Sequence, residues 1–129
     1  MVSIALMSSE DTSLCQHARS SAGPSDWAGG EIVLKHNGQY VTTVKRGFNS
    51  WVRTIHGVDV ANDKLQLEST STDGVCITGL FINGIRLLVG RNNNLHSFWI
   101  DGDDQYCLDN FMSSTQITIQ NGRVTSSTC

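Results

Sequence analysis

Glu31–Arg46 reads EIVLKHNGQYVTTVKR, two runs rich in β-branched and aromatic residues joined by Asn37-Gly38. Asn-Gly supplies the two positive φ angles of a type I′ turn, whose twist matches that of the strands it joins. The same dipeptide recurs as Asn83-Gly84, between VCITGLFI and IRLLV, and as Asn121-Gly122, between TQITIQ and RVTSS. Three such turns at apolar junctions predict three tight hairpins. Gly84 is expected to be the least replaceable of the three glycines, because its hairpin is the most apolar.

Alternation around these turns supports strands. In TQITIQ, Ile117 and Ile119 fall on one face and Gln116, Thr118 and Gln120 on the other. In KLQLE, Leu65 and Leu67 point inward, with Lys64, Gln66 and Glu68 outward. Strands with one wet face are the mark of antiparallel sheets. FNSWVRTI and SFWI read as two further strands, and VCITGLFINGIRLLV, apolar on both faces, as the central hairpin of the core. The pattern predicts an all-β fold, an antiparallel β-sandwich or flattened barrel of about 7–8 short strands.

The first 26 residues read differently. MVSIALM is too short for the apolar part of a secretion signal and no basic residue precedes it, so it reads as an added start or the end of a signal. SSEDTSLCQHARSSAGPSD, residues 8–26, holds the only proline, Pro24, and little to bury. Residues 1–26 are therefore expected as an irregular arm pinned by Cys15, and 27–129 as the folded domain. Trp27, Trp51 and Trp99 are expected to anchor its core or rim.

Composition excludes several classes. Only 16% of residues are charged and the formal net charge is −3, with nine scattered basic side chains and no stripe to neutralise phosphates. Nucleic acid is not an expected partner. No run approaches the ~18 apolar residues of a membrane-spanning helix. Four cysteines, Cys15, Cys76, Cys107 and Cys129, form no C-x-x-C pair. An even count with a cysteine at the last position suits two disulfides and a secreted, extracellular protein. The expected pairings are Cys15–Cys129, since termini often lie close, and Cys76–Cys107.

No nucleophile elbow, phosphate-binding glycine loop or paired metal-binding histidines occur, so an enzyme is not expected. His17, His36, His56 and His96 are dispersed near turns and strand ends. Glu31 and Glu68 sit on strands and face outward, as solvated carboxylates do.

Two segments carry candidate chemistry. IDGDDQYCLDN gathers Asp101, Asp103, Asp104 and Asp109 around Gly102 without a Lys or Arg from Ser97 to Ser114. Calcium takes six to eight oxygens, and such a turn supplies carboxylates and carbonyls at short spacing. The plain alternative is an acidic surface turn, and this is not an EF-hand. RNNNLHSFW offers Asn92, Asn93, Asn94 and His96 as hydrogen-bonding groups, with Trp99 as a surface against which a sugar would stack; a Trp99 buried by strand alternation is the alternative. In general layout the chain resembles hairpin-rich extracellular modules, PLAT-type domains and calcium-dependent sugar-binding modules among them, a likeness that assigns no residue. The expectation is a secreted binding module, with calcium as its candidate cofactor, for an extracellular glycan or protein. The rival is a secreted effector, toxin-like or inhibitor-like, that presents a loop to a protein target.

Overall fold

The computed structural model describes residues 1–8, 31–70, 74–89, 96–100, 106–107, 112–114 and 116–126. These form thirteen strands and no helix: β1 (Val2–Met7), β2 (Ile32–His36), β3 (Gln39–Val44), β4 (Ser50–Ile55), β5 (Leu65–Ser69), β6 (Val75–Ile77), β7 (Gly79–Ile82), β8 (Ile85–Arg86), β9 (Phe98–Ile100), β10 (Tyr106–Cys107), β11 (Met112–Ser114), β12 (Gln116–Gln120) and β13 (Arg123–Ser126). They lie in three sheets, ordered β4-β1-β7-β8, β10-β11-β9-β6 and β13-β12-β5-β2-β3. All ladders are antiparallel except β11 with β9, which run parallel.

The first residues correct the expected irregular arm. Val2, Ile4 and Leu6 are fully buried, and β1 lies between β4 and β7 in the interior of its sheet. The period-2 pattern is legible in VSIALM, but Ala5 and Met7 make its outward face apolar too and disguise it. The rest of the arm, residues 9–30, and with it the expected boundary at residue 27, lies outside the described residues.

The strand count exceeds expectation partly because VCITGLFI is two strands. β6 belongs with β9, and β7 with β1. The chain changes sheets at Thr78, whose N–H donates to the Met7 carbonyl at 2.8 Å. Gly79 permits the crossing: a Cβ there would stand 2.8 Å from Cε1 of Phe81, whose ring lies over the glycine. The hairpin read as central is therefore modest, since β8 is two exposed residues.

The three turns form as the sequence predicts. Asn37, Asn83 and Asn121 have φ of 50°, 51° and 51°, and Gly38, Gly84 and Gly122 have 85°, 79° and 72°. Each asparagine also ties its tip to another element. Asn37 N–H donates to Lys64 O, and its Oδ1 accepts from Lys64 N–H, both at 2.8 Å. Asn83 grips Ser3 in the same two-bond manner. Asn121 N–H donates to Val60 O. A Cβ at any of the three glycines meets nothing within 4 Å, so positive φ alone sets the cost of replacement, and Gly84 is not singled out by crowding.

Inward residues of all three sheets join one hydrophobic cluster, from Ile4 and Leu80 through Leu34, Leu67 and Ile117 to Phe98 and Ile100. Leu34, Leu67 and Ile117 are direct cross-strand neighbours. Burying one such side chain is worth about 1.5–3 kcal/mol.

Candidate functional site

Of the residues expected to touch ligand, Asn92, Asn93 and Asn94 lie outside the described residues, as do Asp101, Asp103, Asp104 and Asp109. His96 is exposed. Trp99 corrects its expectation: it is 0% exposed on β9, the interior strand between β11 and β6, and its indole offers no face to a ligand from solvent. Phe98 and Ile100 are buried beside it, because an interior strand covered on both faces has no outward side to present. Cys76 is fully buried, and no free cysteine occurs among the described residues. Cys15 and Cys129 lie outside them.

Two constellations assemble from the described residues. The first closes the end of the molecule that carries the Asn-Gly tips. Loop 56–64 returns on itself through Asp59, whose carboxylate accepts from Ala61 N–H at 3.1 Å and Asn62 Nδ2 at 2.8 Å. Asp63 Oδ2 accepts from Asp59 N–H at 3.0 Å and lies 2.8 Å from His36 Nε2. Gln120 Nε2 adds a bond to Asn62 O at 2.7 Å. The sequence hint was the Asp59, Asn62, Asp63 spacing, typical of side chains that fold a loop onto its own backbone. His36 is thus a partner of Asp63 rather than a lone solvated ring.

The Asp59 backbone N–H, then His36, then Asn37 hold the Asp63 carboxyl down from its ordinary value to about 2. A carboxyl depressed on folding stabilises the native state above the ordinary carboxylate range, and that stabilisation is lost as pH falls toward 2. Between pH 5 and pH 2, wild type should lose melting temperature more steeply than Asp63→Asn. Parallel pH profiles for the two proteins would show that the clasp contributes nothing.

The second constellation is the outer face of the five-stranded sheet. Register places Tyr40, Lys35, Gln66, Thr118 and Thr125 in one row across β3, β2, β5, β12 and β13. Thr43, Val33, Glu68 and Gln116 form a second row beside it. Cross-strand partners share a face at contact distance. Tyr40 is 65% exposed, and its hydroxyl lies 3.0 Å from Thr43 Oγ1, which steadies the ring. Lys35 Nζ bonds Glu68 Oε2 at 2.9 Å, so these two charges offset each other. Sequence alternation already assigned Gln66, Glu68, Gln116, Thr118 and Gln120 to the wet face. The order of strands that brings Tyr40 into line with them was not legible. Such a face sets amide and hydroxyl donors and acceptors beside an exposed aromatic ring on a paired sheet.

No protein-family model, curated protein or solved structure matches this chain.

Proposed function

We propose that the chain is a secreted, disulfide-linked β-sandwich module that binds an extracellular glycan. The row from Tyr40 to Thr125 carries this reading. Sugars present hydroxyls around an apolar ring face, and the row answers with amides and hydroxyls beside an aromatic ring. Calcium held by Asp101, Asp103, Asp104 and Asp109 belongs to the proposal, because no nearby cation in the sequence relieves their repulsion. Retention on a glycan array and on insoluble polysaccharides, with calcium and with chelator, tests both parts. Tyr40→Ala should weaken binding roughly tenfold, the worth of one aromatic contact. Loss in chelator would assign calcium a role; a wild-type protein that retains no glycan in either condition would refute the reading.

Two disulfides complete the module. Strand order favours Cys15 or Cys129 as the partner of Cys76: β6 and β10 stand at opposite edges of their sheet, three strand spacings apart. That is about 14 Å, against the ~7 Å limit between the Cα atoms of a bridge. Peptide mapping without reduction should recover Cys76 linked to Cys15 or Cys129. A Cys76–Cys107 peptide would contradict that order.

A further inference from the structure

Among the described residues β4 is an edge strand, and four of its six residues are exposed, Val52 to 66%. Native proteins blunt such edges with bulges or charge. β3, an edge of the five-stranded sheet, carries a register shift opposite Leu34 and Lys35 and is followed by Lys45-Arg46. β4 has no bulge: its register with β1 runs unbroken from Ser50 to Ile55, and Arg53 is its single charge.

Hydrogen bonds fix which backbone groups the free edge offers. Ser8 N–H donates to Asn49 O at 2.9 Å, and Asn83 N–H donates to Ser3 O on the other side of β1. Even-numbered residues of β1 therefore bond β4 and odd-numbered ones bond β7. It follows that Trp51, Arg53 and Ile55 turn their backbone groups toward β1. Ser50, Val52 and Thr54 turn theirs to the edge, with no partner among the described residues.

We propose that a second copy of this chain pairs along this edge, β4 antiparallel to β4 about a twofold axis through Val52. In that register Val52 meets Val52 as a hydrogen-bonded pair, and Ser50 meets Thr54 likewise. Trp51 meets the copy's Arg53 twice, at the closer non-hydrogen-bonded positions, where a guanidinium reaches an indole face. The symmetric register through Arg53 would instead set like charges opposite each other. On the outer face, Val52, Ala5 and Phe81 form a row beside a shallow depression of ≈ 210 Å³, with Arg86 4.8 Å over the Phe81 ring. Pairing through Val52 joins this row to its own copy, so one apolar stripe crosses both molecules.

Sedimentation of the intact chain at concentrations up to about 1 mM should show mass rising from 14.1 kDa toward twice that value. Val52→Cys under mild oxidation should give a covalent dimer above the wild-type background. Hydrogen-bonded partners about 5.5 Å apart between Cα atoms lie within disulfide range. Ser50→Cys, which would face Thr54, should not. Val52→Pro should stay folded yet monomeric, because the N–H it removes points away from β1. A wild type that stays monomeric with no Val52→Cys dimer overturns the proposal, including the case of an edge that takes up a foreign extended peptide instead. So does equal cross-linking of Val52→Cys and Ser50→Cys, or a dimer that survives in a folded Val52→Pro. Should Val52→Pro fail to fold, the two cysteine variants decide.

Discussion

Removal of residues 1–7 should abolish the cooperative fold. The sequence makes this segment look dispensable, an apolar start ahead of a polar stretch. In the structure β1 is paired to β4 over six residues and to β7 over four. Val2, Ile4 and Leu6 are each fully buried, and at about 1.5–3 kcal/mol per side chain their loss removes about 5–9 kcal/mol. That is comparable with the 5–15 kcal/mol that holds an ordinary domain together. The deletion also strands Ile55, Leu80 and Ile82 without the strand that covers and joins them. Far-UV circular dichroism and a thermal melt check this. A truncated chain with a sharp transition near the wild-type temperature would show that β1 is an accessory strand. Ile4→Ala, a smaller lesion at the same place, should cost about 2–5 kcal/mol and leave a folded protein to measure.

Trp99→Ala should be the most damaging single truncation, at about 3–5 kcal/mol, or a fall of about 10–20 °C in melting temperature. Trp99 is fully buried at the middle of a four-stranded sheet, where it is the cross-strand neighbour of Cys76 and Ser113. His96, three residues earlier and exposed, is the control: His96→Ala should change stability by no more than about 0.5 kcal/mol. Were Trp99 a ligand contact, Trp99→Ala would bind poorly but melt normally, as His96→Ala should. Melting curves alone distinguish the cases, whatever the ligand is.

The same side chain shows why the sites were harder to read than the strands. SFWI gives no alternation, because Phe98, Trp99 and Ile100 are all buried. A run apolar on both faces does not reveal which residue points where, so Trp99 could be read toward ligand. VCITGLFI is ambiguous for the same cause. Its apolar residues suit one long strand or two short ones, and the change of sheet at Thr78 depends on a contact with Met7 far away in sequence. The His36–Asp63 clasp likewise joins residues that nothing local connects.

The sequence by itself determined the all-β character, the three type I′ turns, and the faces of β5 and β12. Each of these is local physics: asparagine and glycine tolerate positive φ, and a period of two sorts side chains by face within a single strand. Only the tertiary structure decided that β1 lies inside its sheet, that Trp99 is covered, and that Tyr40 aligns with Thr125 across five strands. Those outcomes depend on which strands become neighbours. Strand order is chosen by the free energy of burying whole faces against one another, a sum over distant segments that no short window of sequence contains.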